Sequence, residues 1–112
     1  MTTVFSKILD GELPCDKVFE NERILAFHDI NPVAPVHILI IPKRRDIASL
    51  KDLNDGDAAL VGEIVMLAKT LADKYSVADG YRLLTNVGKH AGQEVYHLHF
   101  HLIGGCALGP MA

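Results

Sequence analysis

Cysteine is scarce in this sequence, which has only two, Cys15 and Cys106, in 112 residues. Two cysteines this far apart form neither a disulfide framework nor the closely spaced pairs of a zinc knuckle. We therefore expect both to be reduced thiols, and the sequence assigns a role to neither.

The sequence also lacks a long apolar run. No stretch approaches the ~20 apolar residues that a membrane-spanning helix needs. The first residues, "MTTVFSKILDGELP", mix Lys7, Asp10 and Glu12 with apolar side chains, which is not the pattern of a signal peptide. We expect a cytoplasmic protein that does not contact membranes.

A strong charge of one sign is missing too. The formal net charge is −3, and the 11 lysines and arginines are scattered apart from Lys43-Arg44-Arg45. Nucleic-acid-binding domains instead carry a clustered basic surface. We therefore expect no nucleic-acid partner, and we interpret the basic triplet as the solvated exit of a strand. Small ligands fit this composition better than polyanions.

Internal repeats, low-complexity tracts and linkers are likewise missing. A chain of 112 residues with 49% apolar residues is long enough for a real core and too short for two. The sequence therefore predicts one domain over residues 1–112.

The first half of the chain carries three short apolar patterns. "VFSKIL" predicts a short helix that is stopped by Asp10-Gly11 and Pro14. "DKVFENERILAFHDI" predicts two strands around a turn at Asn21-Glu22, because apolar residues alternate on both sides of a polar tip. "VHILIIP" predicts a strand buried on both faces.

From about Asn54 the apolar period changes to roughly 3.6, which predicts one long helix. Asn54 is the expected N-cap, and Asp57 lies where a carboxylate favours the helix start. After Asp79-Gly80, "YRLLTN" and the histidine segment predict two more strands. The order indicates an α+β domain with a five-stranded, largely antiparallel sheet, one long helix and a short N-terminal helix. The predicted buried stripe of the long helix is Leu60, Val61, Ile64, Val65, Ala68, Leu71, Ala72 and Tyr75.

The segment "YHLHFHLIGG" places His97, His99 and His101 at every second position. Side chains of a strand alternate between its faces, so the three imidazoles are predicted to share one face and the apolar residues the other. Imidazole can act as nucleophile, acid, base or phosphate ligand near neutral pH. The pattern therefore predicts a reactive face. The alternative is that the three histidines simply lie on a solvated face and have no chemical role.

A metal site is the serious alternative for these histidines. Same-face neighbours of a strand stand ~6.6 Å apart, so two can share one zinc, whereas the outer pair at ~13 Å cannot. No second cluster with metal-ligand spacing appears in the sequence. We therefore expect neither a metal nor another cofactor. The residues that would have to complete such a site are His28, Asp29, His37, His90 and Cys106.

The stretch "HLHFHLIGG" resembles the His-φ-His-φ-His-φ-φ signature of the histidine triad (HIT) superfamily. The segments "AGQEVYH", "AFHDINPVAPVHILIIPK" and "LGPM", together with Gly104-Gly105, resemble its Hint branch and the bacterial members in particular. The resemblance extends from Phe5 to Met111. It implies a homodimer that hydrolyses purine nucleoside phosphoramidates to an amine and a nucleoside monophosphate.

The resemblance also implies roles for four histidines. His99 matches the nucleophile that becomes nucleotidylated, and His101 matches the residue that contacts the phosphate and assists proton transfer to the leaving nitrogen. His97 and His37 match supporting histidines that orient the others. Without the resemblance, His37 reads as a satisfied histidine on a buried strand.

For the nucleoside, the resemblance places Asp29 on the ribose hydroxyls. Taken alone, Asp29 also fits a turn-forming carboxylate before Asn31-Pro32. Each apolar candidate, considered singly, is typical of a core residue. The residues implied to wall the base are Phe5, Ile8, Phe27, Ile30 and Leu39.

On the phosphate side, the resemblance implies roles for Asn86, the backbone at Gly92, and Glu94. Bacterial members carry glutamate at the last position, where animal members have a small hydroxyl residue. A carboxylate there can select cationic amines by charge or protonate the leaving nitrogen. The alternative is a solvated loop glutamate. His90, in the same loop, has no assigned role.

Two functions remain open from the residues. The first is a nucleotidyl hydrolase, and the second is a nucleotide-binding or scaffold protein in which hydrolysis is incidental. A binding protein needs Asp29 and the apolar walls but has no need of His99. The physiological amine, whether lysine-like or aminoacyl, is not specified by any residue.

A homodimer is expected on physical grounds as well. Five strands and one helix leave a sheet edge and part of the surface uncovered in so short a chain. The resemblance implies a sheet that continues across a two-fold axis and covers that edge.

Overall fold

The computed structural model describes residues 2–111 and contains two α-helices and five strands. This element order agrees with the order predicted from the sequence. Within the described residues, neither helix combines the length and the hydropathy that crossing a bilayer requires. The elements are α1 (Val4–Leu9), β1 (Lys17–Glu20), β2 (Ile24–His28), β3 (Val36–Pro42), α2 (Ala58–Lys74), β4 (Tyr81–Leu84) and β5 (Phe100–Gly104).

The five strands form one sheet in the order β1-β2-β3-β5-β4. Every neighbouring pair is antiparallel, which confirms the predicted α+β sheet. The central pair positions two histidines, because Leu39 of β3 lies opposite His101 of β5, and His37 lies opposite Ile103. This register brings histidines from two distant parts of the chain to the same face.

The short helix α1 is fixed by its first turn. The Thr3 hydroxyl accepts a hydrogen bond from the Ser6 N–H at 3.2 Å, and the Ser6 hydroxyl oxygen accepts one from the Thr3 N–H at 2.8 Å. This reciprocal capping box satisfies two amide groups that a helix start otherwise leaves free. The helix ends at Leu9, and Gly11 follows with φ +78°. The helix predicted from "VFSKIL" is confirmed.

The long helix differs from its prediction in two details. Asn54 caps a 3₁₀ turn over Asp55–Asp57, and the α-helix begins only at Ala58. Ile64 is fully buried, but its neighbour Val65 is 43% exposed. The predicted stripe was therefore one residue too wide, since Val65 lies at the edge of a buried face formed by Ile64, Ala68, Leu71 and Ala72.

The two faces of the sheet differ in what packs against them. Ile38 and Ile40 of β3 join the core against α2, whereas Leu39 and Ile41 belong to a smaller apolar cluster with Phe5 on the opposite face. Alternation along the strand produces this division. One face of the sheet supplies most of the core, and the other is left for the histidines.

The histidine strand is shorter than its sequence pattern predicts. β5 begins at Phe100, so His97 and His99 precede it. The Leu98 N–H donates to the Ile47 carbonyl at 2.8 Å, in the segment that follows β3. Because this amide bonds outside the sheet, the chain bends before it enters β5.

The difference between Ile64 and Val65 gives a direct test of the packing. Ile64→Ala is expected to lower the free energy of unfolding by about 2–5 kcal/mol, since it leaves a cavity in the core. Val65→Ala, one residue along the same helix, should cost less than about 1 kcal/mol. Chemical denaturation of the two variants measures the difference. Equal losses would show that α2 is rotated from the orientation described.

Candidate active site

A cavity of about 540 Å³ opens on the face of the sheet opposite α2. Helix α1, the end of β2, the start of β3, the loop after β4 and the segment entering β5 all contribute to its lining. All predicted site residues except His97 line it. The lining also includes four residues that the sequence did not single out, Val4, Asn31, Val33 and Val95.

Hydrogen bonds to the neighbouring backbone fix the orientation of the His99 ring. Its Nδ1 lies 2.7 Å from the His97 carbonyl oxygen, so Nδ1 carries the proton and donates it. Nε2 of the neutral ring is consequently left with a lone pair. The Thr85 hydroxyl donates to the His99 carbonyl oxygen at 2.6 Å and fixes the backbone at the same residue.

The protonation state of His99 follows from its burial. Its side chain is only 8% exposed. Burial lowers the pKa of the His99 imidazole, against the opposing effects of the His97 carbonyl and the Asp29 carboxylate. The ring is therefore neutral at neutral pH, which is the state in which an imidazole nitrogen can act as a nucleophile.

His37 and His101 form a bonded pair across β3 and β5. Their Nε2 and Nδ1 atoms, respectively, lie 2.9 Å apart. Burial, and to a smaller extent the nearby His99 and His37 rings, lowers the pKa of His101 to about 4, while Asp29 opposes the shift. Burial also lowers the pKa of His37, again against Asp29. The pair thus carries no charge at neutral pH.

His97 is placed differently from the other three histidines. Its ring donates from Nε2 to the Pro42 carbonyl oxygen at 2.8 Å, at the end of β3, and does not line the cavity. The part of His97 that contacts the His99 ring is its backbone carbonyl oxygen. The His97 backbone carbonyl therefore orients the His99 ring. The buried His97 ring links the bent segment before β5 to the end of β3.

Asp29 combines the two interpretations that its sequence position allows. One carboxylate oxygen accepts the Asn31 N–H at 2.8 Å, which is the turn-forming contact. The other lies 3.4 Å from His37 Nε2, inside the cavity lining. Asp29 is thus both a turn residue and a carboxylate available to a ligand.

The apolar wall is part of a small core. Phe5 packs edge-to-face on Phe27, with ring centroids 5.7 Å apart, and on His99 at 5.0 Å. Phe5, Phe27 and Leu39 are buried, so the core interpretation of these residues holds alongside the cavity-lining one. Ile30, in contrast, is 86% exposed at the cavity rim.

The loop after β4 brings Asn86, Gly92 and Glu94 to the cavity. Gly92 has φ +90°, a conformation that favours glycine. The residue that organises this loop is Gln93, which the sequence did not identify as a site residue. Its buried amide donates to the Ala48 and Val95 carbonyl oxygens at 2.7 and 3.1 Å and accepts the Gly88 N–H at 2.9 Å.

Among the described residues, Asp29, His37 and His101 form the one group with ligand atoms close enough for a metal, within 4.8 Å of one another. The backbone N–H of Val33 donates to His37 Nδ1 at 3.1 Å. This contact keeps the His37 proton on Nε2, the atom nearest the other two groups. Metal binding there would therefore require the Val33 hydrogen bond to break.

The remaining candidates lie away from the cavity. His28 packs on Tyr75 at 5.5 Å between ring centroids, and His90 is exposed. The basic triplet is paired with carboxylates, since Lys43 contacts Glu20, Arg44 contacts Asp46 and Asp57, and Arg45 contacts Asp10. Cys15 and Cys106 are free thiols.

These features define a class of protein that mounts a neutral histidine cluster on one face of an antiparallel sheet, above a cavity with apolar walls. The chain belongs to the HIT domain family, whose model matches residues 10–107.

Known proteins agree with this assignment over most of the chain. The purine nucleoside phosphoramidase of Escherichia coli K12 is 46% identical over 110 residues, which span 97% of this chain and 92% of that protein. An uncharacterized HIT-like protein of Helicobacter pylori is 50% identical over 103 residues, covering 91% and 95% of the two chains. A crystal structure of a HIT family hydrolase from Legionella pneumophila superposes with a TM-score of 0.92, at 49% identity and 96% coverage of both chains.

Proposed function

We propose that the protein is a hydrolase of the Hint branch that cleaves the P–N bond of purine nucleoside phosphoramidates through a nucleotidylated His99. The observation that carries this proposal is the 2.7 Å contact of His99 Nδ1 with the His97 carbonyl, which leaves Nε2 of a cavity-lining imidazole unprotonated. The name of the E. coli relative, 46% identical, supports the substrate class.

The reaction proceeds in two displacements at phosphorus. His99 Nε2 attacks phosphorus, a P–Nε2 bond forms, and the amine leaves with the electron pair of the broken P–N bond and takes up one proton from solvent. Water then attacks the same phosphorus, and the P–Nε2 bond returns its electron pair to His99. The attacking water loses one proton to solvent, so the two displacements together restore the enzyme.

The nucleoside half of the substrate is assigned to the apolar side of the cavity. Phe5, Phe27 and Leu39, together with Ile8 and Ile30, offer the flat apolar surface that a purine requires. The Asp29 oxygen that is not engaged by Asn31 accepts hydrogen bonds from the ribose hydroxyls.

The phosphate and the amine are assigned to the polar side. His101 donates its ring N–H toward the phosphoryl group, next to the attacking His99, whose ring centroid is 5.1 Å away. Asn86 and the backbone at Gly92 complete the contacts to phosphate. Glu94 is exposed at the cavity and favours a cationic amine by charge.

A panel of adenosine phosphoramidates with different amines tests this proposal. AMP and the free amine should be released, with faster turnover for lysine-like amines than for neutral ones of equal size. The matched variant Glu94→Gln should remove that preference without removing hydrolysis. Failure to hydrolyse any member of the panel would refute the proposed activity.

A nucleotide-binding scaffold is the second candidate. The cavity walls and Asp29 are sufficient for such a role, and neither needs a reactive histidine. The bonded His37–His101 pair, beside a neutral His99 whose Nδ1 donates to the His97 carbonyl, favours the hydrolase. A variant at His99 that retains the biological phenotype but loses hydrolysis would favour the scaffold.

The Asp29 carboxylate gives a testable binding energy. Asp29→Ala is expected to weaken AMP binding by on the order of 1.5–3 kcal/mol, because a hydrogen bond to a charged acceptor is lost. Asp29→Asn preserves the acceptor for the Asn31 N–H and is the control for turn formation. Isothermal titration measures both affinities. Unchanged affinity in both variants would remove Asp29 from the ribose site.

We further propose a homodimer in which the sheet continues across a two-fold axis. Strands β1 and β4 form the edges of the sheet. The β1 edge carries Lys17, Glu20 and a bulge, which are features that discourage edge pairing. At β4 the Arg82 side chain is instead engaged by the Gly109 carbonyl oxygen at 2.9 Å. The β4 edge is therefore the better candidate for pairing with a second copy.

Sedimentation measures the state of association. At micromolar concentration the protein is expected to sediment as a species of twice the chain mass of 12.2 kDa. A stable monomer under these conditions would contradict the proposed dimer while leaving the proposed chemistry untouched.

A further inference from the structure

A chain of hydrogen bonds leads from the backbone into the histidine cluster. The Val33 N–H donates to His37 Nδ1 at 3.1 Å, and His37 Nε2 lies 2.9 Å from His101 Nδ1. Val33 belongs to the loop between β2 and β3, so this chain starts at a group that carries no charge and cannot titrate.

A backbone amide nitrogen can only donate, which fixes the direction of every bond that follows. His37 Nδ1 must accept, so the single proton of the neutral His37 ring is on Nε2. His101 Nδ1 faces that N–H and must accept in turn. The single proton of neutral His101 is therefore on Nε2, the ring nitrogen that His37 does not engage.

We propose that the backbone amide of Val33 is a positioning group that sets the tautomers of His37 and His101, so that His101 presents an Nε2–H donor to the cavity. The assignment of the tautomers stands on the hydrogen bonds alone. Only its catalytic consequence rests on the proposed phosphoramidate hydrolysis.

Asp29 does not change this conclusion. Its carboxylate oxygen lies 3.4 Å from His37 Nε2, farther than His101 Nδ1 at 2.9 Å. Whichever acceptor the proton favours, it remains on Nε2 of His37. Adding a second proton to His37 at Nδ1 would set two N–H groups against each other, so the Val33 amide also disfavours the charged ring.

The loop holds the Val33 amide in place by contacts at its start. The Asn31 N–H donates to the Asp29 carboxylate at 2.8 Å, and the Asp29 N–H donates to the His37 carbonyl oxygen at 2.9 Å. These bonds fold the loop back onto the beginning of β3. The Val33 side chain is 70% exposed, so what the position supplies to His37 is its backbone.

The tautomer of His101 determines whether its contact with a phosphoryl oxygen is attractive or repulsive. A phosphoryl oxygen beside His101 meets an N–H donor in this tautomer and an unprotonated nitrogen in the other. The first contact is a hydrogen bond, and the second is a repulsion between two acceptors. Fixing the tautomer before substrate arrives removes the need to rearrange protons during the chemical step.

Nitrogen-15 NMR of the ring nitrogens tests the tautomers directly. In the full-length protein at neutral pH, the long-range proton–nitrogen correlations should identify His37 and His101 as protonated on Nε2 and bare on Nδ1. Val33→Pro removes the amide proton, whereas Val33→Ala retains it. His37 should then show protonated Nδ1 in the proline variant only.

A proton on Nδ1 of His37 or of His101 in the unmutated protein would overturn the inference, whether or not the proline variant folds. So would a folded Val33→Pro variant with unchanged tautomers. His37→Gln provides a further check, because its amide places an N–H donor where Nε2–H stood. In this variant His101 should remain protonated on Nε2.

Kinetics then test the link to the proposed function. With an adenosine phosphoramidate, kcat of Val33→Pro should be about tenfold or more below that of Val33→Ala with similar KM, and no more than the ~10²–10³-fold that loss of a whole hydrogen-bond donor to developing charge costs. Equal kcat values would refute the catalytic consequence. The expected tautomers in a protein that hydrolyses no phosphoramidate would instead refute the proposed function and leave the tautomer assignment standing.

Discussion

Replacing His99 with alanine is expected to abolish covalent nucleotidylation and to lower turnover of an adenosine phosphoramidate by about 10⁴-fold or more, as happens when other covalent nucleophiles are removed. In the unmutated protein, rapid quench with a slow substrate should trap protein heavier by one adenylyl group. The adduct should be acid-labile, as P–N bonds are, and should map to the peptide that carries His99.

Two control variants separate chemistry from folding. His99 is buried against Phe5, so alanine also removes packing and the hydrogen bond to the His97 carbonyl. His99→Asn keeps an N–H donor near the position of Nδ1 and lacks the nucleophilic nitrogen. It should be inactive while losing less stability than His99→Ala. His90→Ala, at an exposed histidine away from the cavity, should retain full activity.

Labelling elsewhere would change the assignment. An adduct on His97 or His101 in the unmutated protein would refute the role of His99. Full turnover by His99→Ala without an adduct would point to direct attack by water, and the group formed by Asp29, His37 and His101 would then be examined as a metal site.

The sequence predicted the fold well because its elements are carried by local patterns. The dense β-branched run "VHILIIP" specifies a strand buried on both faces, and the period of α2 specifies a buried side. The error at Val65 arises because periodicity gives the direction of a face but not its width. That width depends on how closely α2 approaches the sheet.

The candidate site was predictable where residue type carries the chemistry. Imidazoles spaced by two placed His99 and His101 together, and the resemblance to HIT proteins added His37 and Asp29. Val33 and Gln93 were not predicted, because each contributes hydrogen bonds that the fold positions and neither contributes a reactive side chain. The role of Val33 is a backbone amide aimed by loop closure, and that of Gln93 is a set of bonds to carbonyls distant in sequence. No side-chain pattern encodes either one.

His97 is a second case in which residue spacing alone does not predict the contacts of a side chain. Its spacing from His99 predicts a shared strand face, yet the Leu98 amide bonds to Ile47 and bends the chain there. The His97 ring consequently reaches Pro42, and its carbonyl reaches His99. Three histidines at equal spacing thus supply three different kinds of contact, which alternation alone does not distinguish.

His101→Ala is expected to slow formation of the adduct by about 10²–10³-fold, the range for loss of one hydrogen-bond donor to charge that develops in the transition state. The attacking nitrogen of His99 remains, because its hydrogen bond to the His97 carbonyl does not involve His101. The label should therefore still appear on His99. Single-turnover quench measurements give the rate, and peptide mapping gives the site. His28→Ala, on the opposite face of the sheet, is the matched control.

The form of the defect distinguishes catalysis from binding. If the His101 N–H acts on the phosphoryl group as P–N cleavage proceeds, the rate constant at saturating substrate falls and the affinity for AMP changes little. His101→Gln, which offers an amide N–H at about the same reach, should recover part of the lost rate, whereas His101→Leu should recover none. Equal rates for the glutamine and leucine variants would show that the N–H donor has no part in the step. His101 would then serve only to pack against His37 and His99.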